Sequence, residues 1–205
     1  MEIACLDLEG VLIPEIWIAF AEKTGIDALK RTTRDEPDYD VLMQYRLDLL
    51  RENDLGLNDI QDVIATLEPL DGAVEFVNWL RERFQVIILS DTFYEFANPL
   101  MKSLGYPTLL CHKLECDDSG SVISYQLRQS NHKRQSIVAF KSLYYRTIAA
   151  GDSYNDTTML AEADAGILFN APQQVIDEFP QFPAVHNYED LKREFIWASD
   201  RDLKV

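Results

Sequence analysis

The chain has 205 residues, 47% of them hydrophobic, and carries 35 acidic against 19 basic side chains for a formal net charge of −16. That is apolar material for one ordinary domain, or one domain with an insertion. An acidic balance of this size excludes a phosphate-backbone binder and a protein that docks on anionic lipid, both of which need a basic face. Any anionic substrate must therefore meet positive charge built into its own site.

In chain order, Glu2–Leu8 reads as a short, nearly all-apolar strand of the kind that is covered on both faces. It runs into CLDLEG, where Asp7 and Glu9 stand two residues apart and share a face if the pleat continues. About sixty residues then read as helices only, most clearly Asp38–Arg51 and Asn58–Leu67. That is too long for one crossover, so residues 14–70 are expected to be a helical cap inserted at the C-terminal edge of strand one. Residues 1–13 and 71–205 are expected to form the core domain.

Gly72–Arg83 puts Ala73, Phe76, Val77 and Leu80 on one helical stripe. A strand at Gln85–Ser90 and a helix at Phe93–Leu104 follow. Thr108–Leu127 reads as a β-hairpin insertion around the turn-rich CDDSGS. After it come a helix at His132–Tyr144, a strand at Thr147–Ala150, a helix at Tyr154–Ala163, a strand at Ala165–Phe169 and a weaker run at Pro183–His186. Trp17, Trp79 and Trp197 are assigned to the core. The alternation predicts an α/β fold with a Rossmann-like, doubly wound parallel sheet and right-handed crossovers. Ligands of such sheets bind beyond the carboxyl ends of the strands, under the expected cap.

The three cysteines, Cys5, Cys111 and Cys116, are an odd set with no disulfide framework, which fits a reducing compartment. Cys111-His112 and Cys116 lack a second ligand pair at finger spacing, so zinc is not read there. The chain opens with no basic-then-apolar leader and holds no apolar run of roughly 20 residues. The expectation is a cytoplasmic protein with neither nucleic-acid nor membrane partners.

Four short segments stand where strands end or helices begin: DLEGV, ILSDT, SNHK and AAGDSYND. Asp7 and Asp152 are hard oxygen ligands suited to Mg²⁺. Ser90 and neighbouring backbone N–H groups can grip phosphate oxygens, and Lys133 supplies a compact positive charge. An acid beside Mg²⁺ and a lysine stays ionised and can act as a nucleophile; a second acid can move protons. In DVLMQYRLDLLRE, Arg46 lies three or four residues from Leu42, Met43, Leu49 and Leu50, on the apolar side of its helix. A guanidinium there needs a partner, and a carboxylate is the natural one. His112, His132 and His186 form no triad pattern and are left out.

Asp-x-Glu-Gly-Val, then Ser-Asp-Thr, then Lys, then Gly-Asp-Ser-x-Asn-Asp, in that order from Asp7 to Asp156, resembles the haloacid dehalogenase superfamily of phosphohydrolases, and its phosphoserine phosphatase branch most. The resemblance implies a C1-type helical cap, Mg²⁺ as cofactor and an aspartyl-phosphate on Asp7, which is also a metal ligand. Glu9 stands where the family has a general acid/base Asp whose main-chain carbonyl also binds the metal. Ser90 and the Asp91 backbone would hold the phosphoryl group, and Lys133 would neutralise charge. Asp152 would ligate the metal, Asn155 would help hold substrate, and Asp156 would orient Lys133 or support the metal shell. Glu15 and Arg46 stand at places that take the amino and carboxylate groups of L-phosphoserine. The DLEG form of the first motif is similar to a small subgroup that passes the phosphoryl group to homoserine. The resemblance also admits a homodimer. The reading from another class is a phosphorylatable receiver-type signalling domain, which also carries acids, a Ser/Thr and a Lys on a doubly wound sheet. A receiver is shorter and has neither an inserted cap nor GDSxND after its lysine.

Overall fold

The computed structural model describes residues 1–32, 35–36 and 38–203; residues 33, 34 and 37 of the expected cap, and 204 and 205 of the expected core, lie outside the described residues. The apolar run at the N-terminus forms β1 (Glu2–Leu6), all of it buried. It pairs in parallel with β2 (Gln85–Phe93) on one side and β5 (Arg146–Gly151) on the other. With β3 (Thr108–Cys116), β4 (Val122–Gln126), β6 (Ala165–Phe169) and β7 (Ala184–Val185), these build a seven-stranded sheet of order β4-β3-β2-β1-β5-β6-β7. Every pairing is parallel except β3 with β4. The chain winds outward from β1 in both directions, so its carboxyl end marks a topological switch point.

Alternation along the strands divides the core. Ala4, Leu6, Ile88, Ile148 and Ala150 belong to one apolar cluster; Ile3, Cys5, Leu89 and Ala149 belong to another. The second is covered by α6 (His132–Ser142), α7 (Thr157–Glu162) and α8 (Gln173–Glu178). The first takes α4 (Ala73–Arg81), α5 (Tyr94–Ser103) and α9 (Tyr188–Ala198). The stretch after β1 holds α1 (Ile16–Thr24), a 3₁₀ turn at Asp27–Lys30, α2 (Tyr39–Glu52) and α3 (Leu57–Ile64), and no strand among the described residues. These helices have no separate core. Phe20, Leu29, Met43, Leu47 and Ile60 join the same cluster as Leu6, Phe76 and Phe96, and Trp17 meets Phe96 edge-on at 5.7 Å.

Some elements differ from the sequence reading. The first strand of the expected hairpin is not a separate insertion: β3 pairs in parallel with β2 at Thr108–Leu110 before turning against β4 at Lys113–Cys116. The helix expected at Tyr154–Ala163 is split into a 3₁₀ turn, Tyr154–Asp156, and α7, because the Asp156 carboxylate bonds back to the Asp152 and Ser153 N–H groups. Trp197, expected in the core, is 75% exposed. It lies in the last turn of α9, whose buried stripe is Leu191 and Phe195. Among the described residues, no helix is long and apolar enough to cross a membrane.

Candidate active site

The sheet register assembles the site. Leu6 lies beside Ile88 on β2 and Ala150 on β5, so Asp7, Ser90 and Asp152 emerge next to one another at the strand tips. β1 ends at Leu6, so the loop after it, and not the pleat, brings Asp7 and Glu9 to the same cavity. Two glycines permit the crowding. Gly10 has φ +76°, and a Cβ there would lie 2.5 Å from Asp152 Oδ2. A Cβ on Gly151 would lie 2.3 Å from Asp156 Cγ. On β2, the pairs Leu89–Leu110 and Phe93–His112 show a register slip: four steps along β2 match two along β3. Ser90, Asp91 and Thr92 therefore bow out of the ladder into the site, a device common beside active sites.

These tips and the helices after β1 enclose a cavity of about 330 Å³, lined by every site residue expected from the sequence except Asp156. Lys133, from the first turn of α6, is buried with its Nζ 3.0 Å from Asp7 Oδ1, 2.8 Å from Asp156 Oδ1 and 3.3 Å from Asp91 Oδ2. Asp156 is fully buried and lies behind the cavity. Its Oδ2 accepts from the Asp152 and Ser153 N–H groups at 3.0 and 3.1 Å and from the Ser153 hydroxyl at 3.2 Å. That leaves it little capacity for anything but fixing Lys133 and this loop. Asn155 lines the cavity from an exposed position.

Asp7, Asp91 and Asp156 bring three carboxylates to one ammonium, and Asp152 adds a fourth negative charge beside Asp7. Burial alone would lower the Lys133 pKa, but Asp156, Asp7 and Asp91 hold it well above its ordinary value, so it stays charged. Burial pushes the Asp7 carboxyl well above the usual carboxylate range; Asp156, Asp152 and Asp91 add to this, and Lys133 opposes it. The cluster is short of positive charge. Asp7, Asp152 and Asp156 bring oxygens within 4.8 Å of one another, and the two that face the cavity, Asp7 and Asp152, are hard, negative donors that fit a divalent cation, with Asp156 behind them.

On the other side of the cavity, Glu9 Oε2 accepts the Ile16 N–H at 3.0 Å, at the start of α1. Burial, with repulsion from Glu15, pushes the Glu9 carboxyl up to about 8, against hydrogen bonds from Ile16 and Thr92. Glu15 directly precedes α1, makes no side-chain capping bond to it, and lines the cavity. Arg46 is buried on α2 with Leu42, Met43, Leu47 and Leu50; Leu47 takes the place expected of Leu49. Its guanidinium lies 4.6 Å over the Trp17 ring and donates to the Arg31 carbonyl at 2.9 Å, while its buried Nε has no hydrogen-bond partner. Burial lowers its pKa to about 10, and it remains a cation at neutral pH.

The sequence reading passed over several residues here. Tyr39, in the first turn of α2, donates from its hydroxyl to the Asp91 carbonyl at 3.1 Å. His132 Nε2 lies 3.1 Å and His112 Nε2 3.5 Å from Asp91 Oδ1. Asp91, expected to act through its backbone, thus also brings its side chain into the site. His132 directly precedes Lys133 in SNHK, which was a usable signal; His112 arrives only through the β2–β3 slip. Cys111 is buried and unpaired, and the three-residue ligand groups among the described residues contain no cysteine.

Residues 1–164 match the family described as haloacid dehalogenase-like hydrolase, and the chain belongs to that family. It is 78% identical over 205 residues to phosphoserine phosphatase ThrH of Pseudomonas aeruginosa, covering 100% of each chain. A phosphoserine phosphatase of Pseudomonas syringae pv. tomato is 73% identical over 203 residues, 99% of this chain and 86% of that one. A solved phospho-aspartyl intermediate analogue of phosphoserine phosphatase shares the fold at TM-score 0.78 and 20% identity, over 94% of this chain and 97% of that one. A substrate-bound phosphoserine phosphatase complex also has a TM-score of 0.78, at 21% identity over 94% and 97% of the two chains. The receiver reading is set aside.

Proposed function

We propose that this hydrolase is a phosphoserine phosphatase that works through an aspartyl-phosphate on Asp7 and can also hand the phosphoryl group to an alcohol such as homoserine. One observation carries the reading. A single cavity is lined both by Asp7, Ser90 and Lys133, suited to a phosphoryl group, and by Glu15 and the incompletely paired Arg46, suited to an amino-acid head. The relatives named phosphoserine phosphatase support it.

In this reading Ser90 and the Asp91 main chain seat the phosphoryl oxygens, Lys133 neutralises them, and Asn155 helps hold the substrate. Arg46 takes the carboxylate and Glu15 the ammonium. Asp7 attacks phosphorus; its O–P bond forms as the bond to the serine oxygen breaks. Glu9, protonated at neutral pH by its raised pKa, gives its proton to that oxygen. Glu9, now a carboxylate, next takes a proton from the water or alcohol that attacks the aspartyl-phosphate, and Asp7 is released. Asp7, Asp152 and the Glu9 main-chain carbonyl would hold Mg²⁺, which would neutralise charge at the nucleophile and phosphoryl group. Asp156 supports this set through Lys133 and the Asp152–Ser153 loop. The catalytic core is residues 1–13 and 71–205, and the cap is 14–70. A cytoplasmic location, for which the three free thiols speak, and a homodimer, to be read from solution mass, complete the proposal.

The test is ³¹P NMR of phosphoserine with enzyme and Mg²⁺, with and without homoserine. Inorganic phosphate is expected, joined by homoserine phosphate when the alcohol is present. EDTA and Asp7→Asn should each stop the reaction. Turnover by Asp7→Asn at near the original rate overturns the mechanism; an unchanged product set with homoserine overturns the transfer.

A further inference from the structure

An ammonium has three N–H donors, and Lys133 already has three carboxylate neighbours. On the reading that Lys133 meets the phosphoryl group, one of these contacts has to be exchanged when substrate arrives. Asp156 is locked by the donors on its other oxygen. Asp7 is the nucleophile. Asp91 makes the longest contact, 3.3 Å, and its side chain is 30% exposed against 8% for Asp7 and 0% for Asp156. Asp91 is the partner that can let go.

The two imidazoles decide what Asp91 does then. His112 Nδ1 accepts the Arg128 N–H at 3.1 Å, so the His112 proton sits on Nε2, the nitrogen that faces Asp91. With Nδ1 engaged as an acceptor, His112 presents an N–H and not a lone pair to Asp91, so the Asp91–His112–His132 group works here as a hydrogen-bond clamp. His132 Nε2 likewise donates to the ionised Asp91 Oδ1, and its buried Nδ1 makes no hydrogen bond. Burial keeps His132 neutral by lowering its pKa. Burial alone would raise the Asp91 pKa, but Lys133 and the two imidazole donors together hold it well below the ordinary value.

We propose that Asp91, clamped by His112 and His132, is a positioning residue that holds the third N–H of Lys133 between turnovers and competes with the phosphoryl group for it. No covalent bond changes. When a phosphoryl oxygen enters, Lys133 turns one N–H from Asp91 Oδ2 to that oxygen, and Asp91 keeps its two imidazole donors. After hydrolysis Asp91 reclaims Lys133, which loosens inorganic phosphate.

The proposal fixes two opposite signs. Removing the Asp91 charge, in Asp91→Asn or Asp91→Ala, should tighten inorganic phosphate on the Mg²⁺-loaded protein, read by calorimetry. The gain is on the order of tenfold for one like charge removed from a partly screened site. His132→Phe keeps a ring there and removes only a donor to Asp91. Asp91 then leans harder on Lys133, so phosphate binding should weaken severalfold; His132→Gln, which can restore an N–H, should recover it. Unchanged or weaker phosphate binding in both Asp91 variants overturns the proposal, as does a His132→Phe shift in the same direction as theirs. Simple loss of packing would weaken binding in all of them. The substrate reading fails separately, if the wild type binds phosphate yet does not hydrolyse phosphoserine.

Discussion

Replacing Glu9 by Gln removes a proton site and little else, since the amide oxygen can still accept the Ile16 N–H. Glu9 titrates near 4.5 when solvated and is pushed up to about 8 in the folded protein, chiefly by burial. A raised pKa means that the folded state holds the proton more tightly. The stability this gives is full below 4.5 and is lost as pH rises through 8. The whole interval corresponds to roughly 5 kcal/mol, and about half of that is expected where solvent reaches the side chain. Glu9→Gln does not titrate, so in metal-free buffer it should gain on the wild type by ~2–3 kcal/mol between pH 4.5 and pH 9. For a chain of this size that is about 4–12 °C in melting temperature. Differential scanning calorimetry of both proteins across the range reads it. A melting difference that stays flat would mean that Glu9 ionises normally, and the argument that it arrives protonated would fall. In the same variant, phosphoserine turnover should drop on the order of 10²–10⁴-fold, the usual worth of general acid–base catalysis.

Arg46→Ala should raise KM for phosphoserine on the order of a hundredfold, the loss of one buried charge-assisted pair. A phosphate ester without a carboxylate should be affected far less, and equal losses in steady-state kinetics would remove Arg46 from substrate recognition. Gly10→Ala meets both a left-handed backbone and Asp152 Oδ2 at 2.5 Å. It should cost about 1–2 kcal/mol of stability and raise the Mg²⁺ needed for half-maximal activity by on the order of tenfold; an unmoved Mg²⁺ titration would separate Gly10 from the metal ligand.

The sheet was legible because its strands are short apolar runs with one carboxylate or amide cluster at each tip, and parallel pairing leaves those tips side by side. Asp7, Ser90 and Asp152 needed no more than that. Arg46 was legible from helical period alone, since a cation among leucines at three- and four-residue spacing has to be buried. What escaped depends on contacts between distant segments. The slip between β2 and β3 carries His112 to Asp91, and no local pattern announces a slip. Tyr39 looks like any first-turn residue until α2 lies over the site. Trp197 was expected in the core but is exposed. Leu191 and Phe195, four residues apart, already mark the inward face of α9, and Trp197 falls off it. The resemblance placed Asp156 beside Lys133 or the metal shell, but not its bonds to the Asp152 and Ser153 N–H groups, which depend on the fold of that loop.

The helices over the site share their apolar interior with the sheet beneath, from Trp17 and Phe20 through Phe96 to Leu6. A freely swinging lid parts along a wettable seam; here polar contacts such as Tyr39 to the Asp91 carbonyl and Gln61 to the Glu95 carbonyl lie beside an apolar seam around Trp17 and Phe20. Wide opening would expose packed aromatic surface to water, which favours small sliding displacements for traffic through the cavity. It also ties the upper helices to the melting of the whole chain. Their amides should exchange with solvent as slowly as those of the central strands, and anything that loosens the lid for faster turnover will be felt as lost stability throughout.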